Sequence, residues 1–362
     1  MKPNEIRNNF HGITALRAIA ASVVLIVHSS ALLSFNHEIS KLVILTNIGV
    51  DIFFIISGFI ITYAHWNDFG RGAQGVKGFI RKRFVRIYPM YLLFTLITAL
   101  ALFMMPQLFF SLKSSFELLF SSLLFLPSKM ANGDVTLLLA VAWTLSYEVA
   151  FYAIFSIAML FNRRMALVVT SVALIAWSSL SLIQQDNYIS NYFFTTLPIE
   201  FLVGMIICII FKTSSSIPSI APLTSGVLVV IAIITLYYLF FIAGFDTSEL
   251  RSNTRFIYFG IPALIIFISF FNTPYSKKST IRKVVEVIGS ASYVTYLSHF
   301  LIIGVIKFIM KVIPGTQQLP LAITVIASCI ICTVAGVFIH IYIEKPAISF
   351  FRKKKTREAI EN

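Results

Sequence analysis

A histidine held inside an apolar helix can act as a general base on a hydroxyl, and a carboxylate beside it fixes its tautomer and raises its basicity. The stretch ALRAIAASVVLIVHSSALL, residues 15–33, carries such a histidine, His28, eleven residues after Arg17. Eleven steps make about three helical turns, so the two side chains fall on nearly one face, roughly 16 Å apart along the axis. Three further ionisable groups sit in equally apolar surroundings: Asp51 in NIGVDIFFIISGF, Glu148 in WTLSYEVAFY and His299 in ASYVTYLSHF. Counted inward from the ends of their apolar runs, all four fall in one slab at or above the middle of a ~30 Å hydrocarbon core. Charges at that depth are costly unless they pair or meet water, which makes the four candidates for one shared site in which a carboxylate meets an imidazole. The plainer reading is that each bonds a neighbouring helix and only holds a bundle together.

A second cluster lies in FIRKRFVRIYPMY, residues 79–91. Arg83 and Arg86 are three apart, so their guanidinium forks can face one way and grip a phosphate. Bases beside a membrane more commonly set topology or meet anionic lipid, and an isolated pair of this kind does not distinguish these roles. Ser292, Thr295, Tyr296 and His299 follow i, i+3, i+4, i+7 spacing and form one polar stripe, which is also how a helix-packing seam of small and hydroxylated residues looks.

The elements that must position these groups are set by composition. The 362 residues are 58% hydrophobic and only 12% charged, with a mean hydropathy of +0.87, far too apolar for one soluble core. Apolar runs recur at 12–34, 45–64, 87–105, 138–161, 165–183, 194–211, 223–243, 256–271, 287–310 and 320–342. The expected fold is an all-α polytopic membrane protein, a single bundle of about ten transmembrane helices over residues 1–346, with a basic cytoplasmic tail at 347–362. The first run carries Arg17 and is followed closely by another, which reads as an uncleaved helix and not a signal peptide.

With both termini cytoplasmic, the inner side collects Lys2, Arg7, the bases from Arg71 to Arg86, Arg163, Arg164, Lys212, the Lys277 to Lys283 cluster and the tail from Lys345. The outer side keeps Lys41, Lys113, Lys129, Arg251, Arg255 and Lys311, with Lys307 near the outer end of its span, so the positive-inside rule sets the orientation. Residues 108–126 are almost long enough to span, but an eleventh helix would reverse that charge bias; the segment reads as an interfacial or re-entrant outer helix with Lys113 and Glu117 on its wet face. The net charge of +14 flanks apolar spans, which indicates membrane topology and contact with membrane lipids rather than nucleic acid. Cys208, Cys329 and Cys332 lie in apolar runs without ligand spacing, so neither a metal site nor a disulfide framework is expected.

Taken in order, the arginine-x10-histidine of the first span, GVDIFFIISGF, RKRFVRIYPMY, WTLSYEVAFY, SYVTYLSH and the terminal IEKP resemble the membrane-bound acyltransferase family 3. WTLSYEVAFY, after a short outer segment, is similar to its exopolysaccharide O-acetyltransferase branch. The resemblance covers residues 11–346 and implies transfer of an acyl group, usually acetyl from cytoplasmic acetyl-CoA, to a carbohydrate hydroxyl at or beyond the outer face of a bacterial inner membrane. It places His28 in the catalytic position, as the base with Asp51 or Glu148 as its helper, Arg17 in the same motif, and Arg83 and Arg86 against the CoA phosphate. Asp51, Trp143, Glu148, Tyr296 and His299 match positions in the remaining motifs. Many members carry a fused extracytoplasmic hydrolase-like domain; its absence from this chain implies direct acetylation of a carbohydrate acceptor, for instance a lipid-linked one, or a separate transfer protein.

A proton-coupled saccharide transporter or flippase would also use buried histidines and carboxylates. Such proteins commonly show inverted repeats and paired broken helices, and neither is visible here. A non-catalytic scaffold leaves the shared depth of the polar groups unexplained.

Overall fold

The computed structural model describes residues 3–33, 45–104, 116–130, 133–183, 187–214, 220–242, 253–271 and 279–358, without the side chains of 3–10, 317 and 352–358. Lys2, Lys41, Lys113, Arg251, Lys277 and Lys278, used above to orient the chain, lie outside the described residues, and the side chain of Arg7 is among those left out.

The chain forms helices almost throughout: α1 (Pro3–Leu33), α2 (Ile48–Ala64), α3 (Gly72–Met104), α4 (Phe116–Leu123), α5 (Trp143–Ala158), α6 (Arg163–Ser179), α7 (Tyr188–Phe193) and α8 (Pro198–Thr213). Then come α9 (Pro222–Phe241), α10 (Ile261–Phe271), α11 (Thr280–Val312), α12 (Leu321–Ile339) and α13 (Lys345–Glu358). Among the described residues nine helices are long and apolar enough to cross a membrane, and the run Phe256–Phe271 is a shorter apolar helix. Together they coincide with the ten apolar runs of the sequence, and the protein is a multi-pass helical membrane protein. In hydrocarbon every backbone group must bond internally, and a helix does this within one segment.

Three boundaries differ from the hydropathy reading. Helix α3 begins at Gly72, α11 at Thr280, and α12 continues through a π-turn (His340–Glu344) into α13. Polar first and last turns carry no apolar signal, so hydropathy cannot see them, although they are helical. One consequence is that Arg83 and Arg86 sit well inside α3. Between α3 and α5, helix α4 has eight residues, about 12 Å, too short to span. It is followed by a small antiparallel hairpin pairing β1 (Ser128–Lys129) with β2 (Val135–Thr136). Tyr91 donates to the Ser122 carbonyl (2.5 Å) and the Leu138 N–H donates to Ser122 Oγ (2.8 Å), tying this outer segment to α3.

Helix α1 is the hub, packed on α2, α10, α11 and α12. Membrane helices associate through close packing of small residues, and two crossings depend on glycine. At α1–α11 a Cβ on Gly289 would lie 2.0 Å from the Thr14 carbonyl oxygen. At α2–α8 the contact is reciprocal, with Gly58 against the Phe201 carbonyl and Gly204 against that of Ile55. On the other side, large apolar residues such as Leu223, Ile234 and Ile330 face outward, as a lipid solvent allows.

The turn between α2 and α3 is fixed by charge. The Nδ1–H of His65 donates to Asp68 (2.9 Å), and Asp68 also meets Arg71 (3.2 Å) and Lys82 (3.5 Å) of α3. Burial, then the nearby Arg83 charge, pushes His65 down to about 4 in spite of that bond. Partial burial pushes the Asp68 carboxyl up, but the His65 bond and the charges of Lys82, His65 and Arg71 outweigh it and hold the group below its ordinary value.

Two outcomes are expected. Gly289→Val forces α1 and α11 apart and costs about 1–3 kcal/mol or more, read as loss of folded protein and a lower melting temperature in detergent. Acidification weakens the fold in two steps. Between about pH 6.5 and 4 the unfolded chain binds a proton that folded His65 does not, so stability falls with pH there. Below that window the Asp68 contribution is lost as well. His65→Asn, whose amide N–H can still donate to Asp68, flattens the first step in a melting-temperature against pH series.

Candidate functional site

A cavity of about 140 Å³ opens among α1, α2, α3, α5 and α11. Its basic end carries Arg17, Arg83 and Arg86; its other polar groups are Ser57, Thr144, Glu148, Tyr152, Ser292, Tyr293 and Tyr296. Each comes from the apolar stretch of its helix or its edge, so packing of the apolar faces turns these groups towards one another.

At the basic end the two arginines of α3 differ. Arg86 is held by Glu344 (2.6 Å), whose second oxygen meets Nδ1 of His340 (2.5 Å), and its guanidinium lies 5.3 Å from the Tyr293 ring centre. The π-turn carries both His340 and Glu344; such turns insert one extra residue per turn and re-aim side chains, commonly at functional sites. Arg83 lies against the Tyr152 hydroxyl, and its buried Nε has no hydrogen-bond partner. The expected twin clamp is therefore unequal: Arg86 already holds a carboxylate, and Arg83 keeps an unused donor. Pro89, three residues beyond Arg86, cannot donate to the Val85 carbonyl and loosens α3 at this point.

Arg17 donates through Nε to Ser292 Oγ (3.2 Å). Eleven residues on, Nδ1 of His28 lies 2.9 Å from Nε2 of His299. Both members of the arginine-x10-histidine pair thus face α11, and they meet two residues of its polar stripe. The rings of His28 and His299 are 4.8 Å apart, and that of Tyr296 is 5.8 Å from His299. Tyr296 lines the cavity, whereas the two histidines lie beyond it; His299 is fully buried and His28 is half-buried. The Tyr296 hydroxyl donates to the Val141 carbonyl, so Thr144 must be the donor in the 2.9 Å contact between the two hydroxyls.

Glu148 faces the cavity, accepting from Ser57 (3.2 Å) and from the Tyr152 hydroxyl. Trp143, one residue before Thr144, packs edge-on against Tyr147 and does not line the cavity. Asp51 is not brought to His28. Its carboxylate is taken by Arg255, through Nε at 3.1 Å and a terminal nitrogen at 2.6 Å, and both residues are buried. Glu200, from α8, is buried beside this pair. Two carboxyls and one guanidinium without solvent form a structural anchor among α2, α8 and the start of the π-turn Phe256–Gly260 that leads into α10.

Sequence reasoning overlooked Glu200, Arg255 as a buried partner, Ser57, Tyr152 and the Glu344–His340 pair. Glu200 was findable as an ionisable group inside an apolar run and Glu344 as one just beyond the last run; the identity of their neighbours was not. Among the described residues no group of three or more metal-ligating side chains converges.

The sequence profile of a family described as an acyltransferase domain (Acyl_transf_3) matches residues 10–341. The chain is 27% identical over 311 residues to the exopolysaccharide production protein ExoZ of Rhizobium meliloti, covering 85% of this chain and 91% of that protein. It is 28% identical over 161 residues to the acyltransferase MdmB of Streptomyces mycarofaciens, covering 43% of this chain and 40% of the relative. No solved structure matches.

Removing one partner of a buried ion pair strands the other. Arg255→Met is expected to destabilise the bundle by about 3–5 kcal/mol, and Asp51→Asn combined with it to recover a large part of the loss. Melting of the single and double variants in detergent measures this, and an uncoupled, additive result would remove the anchor role.

Proposed function

Because the chain belongs to the acyltransferase family 3 and is a membrane-embedded O-acyltransferase, we propose that it moves an acetyl group from cytoplasmic acetyl-CoA to a hydroxyl of an exported or cell-surface carbohydrate at a bacterial inner membrane. The name of the Rhizobium relative, an exopolysaccharide production protein, supports the acceptor class. The observation that carries the reading is the cavity joining the arginines of α1 and α3 to Thr144, Glu148 and Tyr296, with the His28–His299 pair directly behind Tyr296.

The donor is a long anionic thioester, and the cavity's polarity suits it. Arg83, with an unused buried Nε, takes a phosphate of the nucleotide; Arg86 joins if Glu344 yields. Helix α1 is unbroken from Arg17 to His28, roughly 16 Å, about the reach of an extended pantetheine arm. A nucleotide held at the inner end then presents its thioester near His28.

His28 removes the proton of the acceptor hydroxyl as its oxygen attacks the thioester carbonyl. The tetrahedral intermediate collapses with loss of the CoA thiolate, which takes the proton from the imidazolium, so His28 returns to its starting form. Glu148, bonded to Ser57 and Tyr152, shapes the cavity wall, and the Asp51–Arg255 pair holds α2 in place without touching the reacting atoms.

Acetyl-CoA binding and turnover by purified protein test this reading. Arg83→Ala is expected to weaken acetyl-CoA binding by about tenfold or more, the worth of one or two charged hydrogen bonds. His28→Ala is expected to bind acetyl-CoA normally and lose about 10²–10⁴ in turnover. Native turnover in His28→Ala would remove the base, and no binding of acetyl-CoA by any of the proteins would remove the donor.

A further inference from the structure

We propose that His299 is a positioning residue that sets the tautomer of His28, so that the lone pair of His28 lies on Nε2 and faces the acceptor hydroxyl; this role rests on His28 being the base. The inference follows from which atoms can donate. Nδ1 of His299 lies 2.6 Å from the backbone carbonyl of Tyr296. A carbonyl only accepts, so that Nδ1 carries the hydrogen. In a neutral imidazole the other nitrogen then holds a lone pair, which makes Nε2 of His299 an acceptor. Its partner, 2.9 Å away, is Nδ1 of His28, which must therefore donate. By the same rule Nε2 of His28 is left as the lone-pair nitrogen.

The chain of bonds starts at the backbone of α11 and ends at His28, whose ring also meets the Val24 carbonyl one turn before it. His299 is fully buried, while His28 is half-buried, so the open side of the pair belongs to His28. Buried histidines used as bases are ordinarily oriented by a carboxylate. Among the described residues neither ring has a carboxylate partner: Asp51 bonds Arg255, and Glu148 bonds Ser57 and Tyr152. A neutral imidazole performs the orienting task instead and places no second charge in the apolar interior. When His28 takes the acceptor proton, its Nδ1–H bond to His299 becomes charge-assisted and strengthens. The helper of His28 is thus His299 in place of the carboxylate that the sequence suggested.

The test combines a direct view of the tautomer with kinetics. Full-length protein in detergent, labelled with 15N at its six histidines, gives one set of ring-nitrogen signals per residue, and those of His28 are the set missing from His28→Ala. In the native protein His28 is expected to show a protonated Nδ1 and an unprotonated Nε2, and in His299→Ala that preference disappears. Turnover in His299→Ala is expected to fall about tenfold or more, with KM for acetyl-CoA changed by less than about twofold. His299→Gln, whose amide oxygen can accept from His28 Nδ1, restores most of the lost rate.

A native His28 protonated at Nε2 overturns the proposal, as does a His299→Ala protein with native turnover or a folded Gln variant as slow as the Ala variant. Those results leave the acyltransferase reading of His28 standing. Native turnover in His28→Ala is the distinct result that removes that reading and this one together.

Discussion

The side-by-side packing of α1 on α11 is the contact on which the rest of the site depends. Gly289 lets the two backbones approach until the Thr14 carbonyl fills the space a side chain would need. From there both helices run on together, and the polar residues of one meet those of the other: Arg17 with Ser292, then His28 with His299. In an apolar surround a polar group gains most from the partner it can reach without water. The same contacts that hold the hub therefore orient its chemistry.

Charge is handled differently at the two sides of the bundle. Asp51 and Arg255 neutralise each other in full burial, and part-exposed Arg86 is neutralised by buried Glu344 where α3 meets the π-turn after α12. These pairs fix helices relative to one another. Arg83, Arg17 and Glu148 bond mainly to neutral hydroxyls or have donors to spare, and these face the cavity beside the paired Arg86. An anionic ligand meets a lower cost there than anywhere an arginine is already paired, because no existing charge pair has to be broken.

Local periodicity was legible; partnership across the bundle was not. Arg17 and His28 share a face because helical geometry repeats every 3.6 residues, and Ser292 and His299 share one for the same reason, so both stripes could be seen before any contact was known. The ten apolar runs were equally visible, because hydrocarbon imposes a length on each. Asp51 was misread in its partner: spacing along α2 says that the carboxylate is buried, but only the tertiary fold brings Arg255, more than two hundred residues away, to its oxygens. Arg255 itself looked like an outer loop cation because it stands at the edge of an apolar run. The neighbours of Glu200 and Glu344 across the bundle were hidden in the same way, since each comes from a helix distant in sequence.

The division between paired and unpaired arginines also bears on how a water-soluble donor is used inside a membrane protein. If both arginines of α3 were free, three guanidinium groups without a carboxylate partner, Arg17 included, would stand at the basic end of the cavity in the absence of ligand, and the desolvation cost would fall on the folded protein. Glu344 removes one of them, and the π-turn is what aims it, because the extra residue rotates the carboxylate inward from the helix that precedes it. The bundle keeps one arginine ready and the other in reserve against a carboxylate. On the proposed function, a donor phosphate that engages both must compete with Glu344, and α12 with its π-turn then bears on donor binding along with α3.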